Sequence, residues 1–221
     1  MFPRVKSILK RKGYALNTRP YELNIVGIRS KNVLPNRFDD ELHIFYKSKP
    51  SKWEYHIFKA TTDPGTYWLK NPMQPQGTAI LAQGQYVDAY EIGLHLGKYK
   101  ALVQAKPVTI IRDYDRNAKL DFLNGYKETG FLGINIHRAF AQGKTKVVDR
   151  FSAGCQVFAN ASDFEFFLEL AERHAKLYGN KFTYTLLDFR AMRRESLRRI
   201  AIGTLTLGIG LIGFYYYDTN D

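Results

Sequence analysis

The chain has 221 residues, 45% of them hydrophobic and 24% charged, a composition typical of a globular protein that excludes a disordered or collagen-like chain. Its single cysteine, Cys155, cannot form an internal disulfide, which excludes a disulfide-stabilised scaffold and a cysteine-based zinc site. The formal net charge of +12 indicates a polyanionic neighbour, such as nucleic acid, an anionic membrane or a cell wall.

Basic residues concentrate at the two ends of the chain. Residues 1–19 contain six Lys or Arg residues and no acidic residue, and residues 190–199 contain five arginines against Glu195 alone. We therefore predict a basic N-terminal arm over residues 1–20 and a basic segment over residues 189–199. Such charge is either solvated or lipid-facing, or it binds nucleic acid, although no nucleic-acid motif accompanies it. Residues 1–13 lack the apolar run of a secretory signal.

Residues 21–188 are expected to form one mainly β (α+β) domain. Seven short segments rich in β-branched and aromatic residues predict strands, and Lys181–Leu187 predicts a closing strand. Apolar residues at helical spacing predict a helix over Ser162–Leu177, behind a Ser cap and packed on the sheet. The pattern favours a β-sandwich or barrel with one packed helix. The seven strands are expected at Glu22–Ile28, Glu41–Tyr46, Trp53–Lys59, Gly77–Leu81, Ala89–Leu94, Tyr99–Lys106 and Val108–Asp113.

Residues 200–217 are an uncharged stretch of 18 residues that is rich in glycine and ends in three tyrosines. This stretch predicts a C-terminal transmembrane helix with its tyrosines at the membrane interface. A buried terminal helix is the alternative, because the stretch is short for a membrane span. The preceding arginines would keep the domain on the cytoplasmic side.

The candidate chemistry lies between Gly133 and Phe158. Cys155 follows a Ser-x-Gly turn, in which backbone N–H groups can converge on an oxyanion beside the sulfur. His137 precedes the cysteine by 18 positions, at the end of an apolar run, and its imidazole could remove the thiol proton. This arrangement outlines a Cys–His acyl-transfer site that should react quickly with alkylating reagents near neutral pH. A buried, inert cysteine is the alternative.

His137, followed 15 residues later by Ser152-Ala153-Gly154-Cys155, resembles the signature of the L,D-transpeptidase catalytic domain, the YkuD-like family. Gly133, Ile134 and Ile136 resemble the Gly-Ile-His approach of that family. The resemblance is close over residues 133–158 and loose over the β-rich segment before them. The rest of the chain is similar to divergent members from bacteriophages and bacterial cell-wall proteins.

The resemblance implies an L,D-transpeptidase-like fold and a role for each matching residue. Cys155 would attack the carbonyl of a peptidoglycan stem peptide to form a thioester, and His137 would activate the thiol and protonate the leaving amine. Ser152 and Gly154 would shape the turn around the oxyanion site. The resemblance implies no metal and no cofactor. Water as the acceptor would make the protein a peptidase, and an amine would make it a cross-linking transferase.

Three positions depart from the family pattern. Ala153 stands where the family has His, Val157 where it has Arg, and Arg138 where it has Gly. The missing Arg leaves the substrate carboxylate without its usual contact, for which Arg138 and Arg150 are the candidates. The third catalytic group is open between Asp149 and a backbone carbonyl.

Residues 113–121 place oxygen-bearing side chains at relative positions 1, 3, 5 and 9, as a calcium loop does. Ala118 stands in the place of the turn glycine, and no Glu follows at position 12, so a hydrogen-bonded turn is favoured.

Other aromatic and histidine residues are expected to be structural. Aromatic side chains in short strands are usually core residues, although some could line a glycan groove. The remaining histidines lack metal-ligand spacing. The aromatic residues are Tyr67, Trp68, Tyr86, Tyr90 and Tyr99, and the histidines are His43, His56, His95 and His174.

These features predict a peptidoglycan-active cysteine enzyme of phage type, associated with a virion or acting in lysis. It would be anchored in a virion membrane or host envelope by its C-terminal helix, with stem peptides, lipid and virion proteins as partners and nucleic acid disfavoured. The main alternative is a non-catalytic, membrane-anchored virion protein that bridges the membrane to capsid or nucleic acid and keeps an unreactive thiol. A third hypothesis is a toxin with a related cysteine site.

Overall fold

The computed structural model describes residues 1–122 and 125–198. Its helices are α1 (Phe2–Arg11), α2 (Thr66–Lys70) and α3 (Ala161–Tyr178), and residues 189–198 are also helical. A short 3-10 helix spans Asp149–Phe151. The strands are β1 (Asn24–Arg29), β2 (Asp40–Lys49), β3 (Lys52–Thr61), β4 (Thr78–Leu81), β5 (Gly84–His95), β6 (Tyr99–Gln104), β7 (Val108–Asp113), β8 (Lys127–Gly130), β9 (Ile136–Arg138), β10 (Gln156–Phe158) and β11 (Phe182–Asp188).

Eight of these strands close into a barrel in the order β1-β11-β5-β6-β9-β10-β3-β2. The other three form a separate sheet in the order β4-β7-β8. Neighbouring strands are antiparallel, except that β1 pairs with β11 and β9 pairs with β10 in parallel. The β9–β10 pair brings together two segments of the sequence that carry the candidate chemistry.

One continuous core joins the barrel, the three-stranded sheet and α3. Phe58 and Phe158 from the barrel pack with Phe164 and Phe167 from α3, and Ile110 extends the same core into the small sheet. Each fully buried Phe contributes about 1.5–3 kcal/mol through removal of apolar surface from water. This shared core fixes the small sheet against the barrel and so fixes the wall that carries the candidate site.

Helix α3 begins one residue earlier than expected. Its N-terminal cap is Asn160, whose side chain accepts the N–H of Ser162, so Ser162 lies inside the helix and is not its cap. Asn is as effective a cap as Ser, because its side-chain oxygen satisfies one of the unpaired N–H groups of the first turn.

The N-terminal segment, expected as a basic arm, forms the amphipathic helix α1. Val5, Ile8 and Leu9 are buried against the outer face of the barrel, in a cluster that includes Phe45 and Met192. The spacing of these three apolar residues is that of one face of a helix. The helical residues 189–198 pack in the same cluster.

The architecture expected from the sequence was wrong. The expectation was a sandwich or barrel with one packed helix and a membrane-crossing helix. The structure instead has a closed eight-stranded barrel with a second sheet, and further helices pack outside the barrel. Among the described residues, no helix is both long enough and apolar enough to span a bilayer. Residues 200–217, to which the membrane helix was assigned, lie outside the described residues.

Candidate active site

Cys155 ends a tight turn that begins at Ser152. Ser152 is fully buried; its Oγ donates to the carbonyl of Cys155 (2.8 Å) and accepts the N–H of Gly154 (3.2 Å). Gly154 has a φ of +125°, and a Cβ there would lie 2.5 Å from the carbonyl oxygen of Ala79. The turn therefore needs both the hydroxyl of residue 152 and the absence of a side chain at residue 154.

The thiol of Cys155 is held between two backbone groups. Its Sγ accepts the N–H of Asn135 (3.4 Å) and donates to the carbonyl of Gly133 (3.4 Å). The residue as a whole is partly exposed. Burial raises the pKa of the thiol to about 11, against the opposing effect of the Asn135 hydrogen bond. The cysteine is therefore a neutral thiol at neutral pH.

His137 lies on β9, and Cys155 immediately precedes β10, the strand that pairs with β9. In the parallel β9–β10 pair, Val157 is opposite His137, and Cys155 precedes Val157 by two residues. Cys155 lies just before β10, and its sulfur contacts the backbone of Gly133 and Asn135 in the segment that leads into His137. The structure contains no hydrogen bond between these two described side chains, since the thiol proton is directed to Gly133.

The imidazole of His137 is oriented by a backbone carbonyl. Its Nδ1 lies 2.9 Å from the carbonyl oxygen of Arg138, and the hydroxyl of Tyr99 lies 3.3 Å from both atoms. Donation from Nδ1–H to that carbonyl leaves the lone pair on Nε2. Burial and the neighbouring His95 lower the pKa of His137 to about 3, so the ring is neutral and able to accept a proton. Asp149 makes no hydrogen bond with this ring, and its N–H is bound by Asn36.

His95 is a site residue that the sequence did not reveal. Its ring stacks on that of His137, with centroids 4.0 Å apart and planes inclined by 20°. Its Nδ1 lies 3.1 Å from the side-chain nitrogen of Asn135, whose backbone N–H binds the sulfur. His95 is 42 positions from His137, and the β5–β6 hairpin brings it there, so no local pattern signals it.

A cleft of about 530 Å³ opens beside the turn, with Ala153 in its wall. Apolar side chains line much of it, and Arg112 and Glu128 supply charge. The guanidinium of Arg112 donates to Glu128 (2.6 Å) and to the carbonyl of Gly77 (3.0 Å). Both charged residues line the cleft, where they form an ion pair with each other. The larger apolar residues of the lining are Trp68, Met73, Phe131 and Leu132.

The two arginines expected to bind substrate lie away from the cleft lining. Arg138 stacks on Tyr99, with 4.6 Å from the guanidinium carbon to the ring centroid, and lies 3.9 Å from Glu165. Arg150 is exposed and stacks on Tyr67 at 3.9 Å. Arg112 is thus the cationic side chain that lines the cleft.

The aromatic residues divide between core and cleft. Tyr90 is fully buried in the barrel core, Tyr86 packs against that core, and Trp68 lines the cleft, where its indole N–H donates to the carbonyl of Arg150 (3.0 Å). In the described part of the chain, no group of three or more His, Cys, Asp or Glu side chains is placed to hold a metal ion. The sequence matches no protein-family model, and no curated protein shows significant similarity to it.

Proposed function

We propose that the protein is a peptidoglycan-active cysteine enzyme that cleaves or exchanges stem-peptide bonds through a thioester on Cys155. The observation that carries this proposal is that the sulfur of a partly exposed Cys155 lies on the segment leading into β9, which carries an oriented, neutral His137, next to a cleft whose wall includes Ala153. A nucleophile and a base with a fixed tautomer are the minimum set for acyl transfer by a cysteine. The cell-wall substrate and the phage setting come from the resemblance of residues 133–158 and stay predictions.

In the proposed reaction, the thiol and the imidazole begin neutral. Rotation about the Cα–Cβ bond of Cys155 would turn Sγ from the carbonyl of Gly133 towards Nε2 of His137. Nε2 takes the thiol proton as the sulfur attacks the substrate carbonyl carbon, and the carbonyl π electrons move onto oxygen. The tetrahedral intermediate then collapses to a thioester as the imidazolium gives its proton to the leaving amine. Attack by water or by a second amine releases the thioester and restores the thiol.

Backbone groups of the turn are suited to the oxyanion. The N–H of Gly154 is already bound to Ser152. The N–H of Cys155 donates to no other group within residues 1–122 and 125–198, and it adjoins the attacking sulfur. A donor aimed at the developing negative charge is worth about 3–4 kcal/mol of transition-state stabilisation. Ser152 and Gly154 would act by holding this turn in place.

The ion pair of Arg112 and Glu128 is suited to the charged part of the substrate. Val157 removes the arginine that the family has after the cysteine, and Arg138 and Arg150 are engaged with aromatic rings. Arg112 lies in the cleft wall, so it could bind a stem-peptide carboxylate while Glu128 accepts an ammonium group.

The test is digestion of purified muropeptides by the full chain, with products identified by mass. We expect cleaved or exchanged stem peptides from the wild type and none from Cys155→Ala or His137→Gln. His56→Gln is the matched control and should keep full activity, because His56 packs on Phe166 outside the site. A folded, reduced wild type that changes no stem peptide would refute the proposal, and so would activity that survives in Cys155→Ala.

A second candidate function is a non-catalytic protein that binds a polyanion. It is favoured by a basic face on α1 and residues 189–198, which are joined by hydrogen bonds from Ser7 and Arg11 to Glu195. Salt-dependent binding to a polyanion by a protein inert towards muropeptides would support it. The exposed basic residues of this face are Arg4, Lys10, Arg11, Lys12, Arg190, Arg193, Arg194 and Arg198.

A further inference from the structure

The loop after β7 presents oxygen atoms at regular intervals. Asp113, Asp115, Asn117 and Asp121 occupy relative positions 1, 3, 5 and 9, and the carbonyl of Lys119 occupies position 7. These are the positions that supply oxygen ligands in a twelve-residue calcium loop. The sequence alone counts against such a site, because Ala118 stands where the turn requires glycine.

The structure removes the objection to Ala118. Its φ is +61°, the left-handed conformation for which glycine is usually selected, and Arg116 also has a positive φ of +56°. The loop is closed by hydrogen bonds from the N–H of Asn117 to Asp115 (3.1 Å) and from the N–H of Lys119 to Asn117 (2.8 Å). The alanine thus permits the required turn.

A separate observation points to a cation. Asp113 is 1% exposed, and its Oδ1 has no hydrogen-bond partner, while its Oδ2 accepts the N–H of Asp121 (3.0 Å). Neither Asp113 nor Asp115 forms an ion pair with a basic residue in the described part of the chain. A buried carboxylate oxygen with no partner is costly, and a bound cation would satisfy it.

We propose that residues 113–121 bind one calcium ion through the carboxylates of Asp113, Asp115 and Asp121, the side-chain amide of Asn117 and the carbonyl of Lys119. Calcium is favoured over magnesium because the loop offers five protein oxygen ligands, two of them neutral, whereas Mg²⁺ usually keeps several waters and binds one or two carboxylates. The described acidic side chains do not already converge as a metal cage, so binding must draw them together. With this cost and no Glu at position 12, we expect a Kd on the order of 0.1–1 mM.

The ion would be adjacent to the cleft. Asp113 follows Arg112, whose guanidinium lines the cleft wall and binds Glu128. Bound calcium would therefore stabilise the position of the end of β7 that carries Arg112. All ligands of the proposed calcium site come from residues 113–121, so the site does not depend on the proposed enzymatic activity.

The test is thermal unfolding of the full chain after removal of divalent ions with EDTA and dialysis. Addition of about 5 mM CaCl2 should raise the Tm by about 3–5 °C, the shift expected for a tenfold change in the unfolding equilibrium of a chain this size. The same concentration of MgCl2 should raise it by less than a third of that. Asp115→Asn should lose most of the calcium shift. Asp88→Asn, an acid-to-amide change at a partly exposed site outside the loop, should keep it.

A second measurement does not depend on stability. Tb³⁺ bound in the loop should show luminescence sensitised by Tyr114, which lies between two of the ligands, and Ca²⁺ should displace it. Asp115→Asn should abolish this signal while melting no lower than the wild type in EDTA, since Asp115 is exposed. The proposal is overturned if the wild type shows no calcium shift, if magnesium gives the same shift, or if Asp115→Asn keeps both the shift and the Tb³⁺ signal.

Discussion

The sequence pattern predicts fast alkylation of Cys155, but the structure predicts a slow reaction near neutral pH, because burial raises the pKa of the thiol to about 11. At pH 7 such a thiol is ionised in about 1 molecule in 10,000, whereas an ordinary thiol with a pKa of about 8.5 is about 3% ionised. The thiolate fraction is therefore about 300-fold lower. A more basic thiolate is also a better nucleophile, by about tenfold over this difference in pKa. The net expectation is a rate about 30-fold below that of an unfolded cysteine.

The assay is alkylation by iodoacetamide, followed by intact mass, between about pH 6 and about pH 9 for the native protein and for the protein unfolded in urea. The native rate should rise about tenfold per pH unit across the range, because the thiolate fraction does so below the pKa. The unfolded protein should approach a plateau near the upper end. A native rate that levels off below about pH 8 would reveal a thiolate–imidazolium pair at rest and refute the assignment of a neutral pair.

Three further predictions concern stability. Gly154→Ala should lower the free energy of unfolding by about 2–4 kcal/mol, because its Cβ would meet the carbonyl of Ala79 at 2.5 Å. Gly97→Ala, with a φ of +71° and open space around its Cβ, should cost about 1 kcal/mol in urea unfolding, and equal losses would contradict the contact. Ala118→Gly should raise stability by about 0.5–1 kcal/mol by relieving a φ of +61°, and any loss in urea would contradict this. The pKa of His137 is lowered to about 3, so its contribution is complete above its unfolded pKa of about 6.5 and is lost as pH falls towards 3. The wild type should therefore lose about 2 kcal/mol more than His137→Gln between pH 7 and pH 5, and equal losses would contradict the assignment.

The sequence predicted those helices and strands whose residue pattern is local and long enough to be recognised. Val108–Asp113 is a strand with the bounds expected from its β-branched residues, and α3 follows from its apolar spacing. Strand β8 was missed because Lys127–Gly130 is short and polar and is held by pairing with β7. Helix α1 was missed because its apolar residues look scattered until they are placed at 100° intervals on a helix.

The candidate site was predictable only in part, for the same reason. Cys155 and His137 share one short segment with a recognisable spacing, and the structure places Cys155 just before the strand that pairs with the strand of His137. His95 and Arg112 reach the site from distant strands, so only the closure of the barrel and the position of the small sheet bring them there. The backbone carbonyl of Arg138 is the group that orients His137. Every residue has a backbone carbonyl, so no residue type in the sequence indicates which one takes this role.

The neutral state of Cys155 and His137 restricts when the proton can be transferred in the proposed reaction. A proton transfer at rest from a thiol with a pKa of about 11 to an imidazole with a pKa of about 3 would cost on the order of 10 kcal/mol. A free thiolate is therefore not an intermediate of the unbound protein, and proton transfer must accompany attack on a bound carbonyl. The charge then passes to the substrate oxygen, where the N–H of Cys155 can stabilise it. Reactivity towards small alkylating reagents and reactivity towards a bound stem peptide are thus separate properties, so a slow thiol is compatible with an active enzyme.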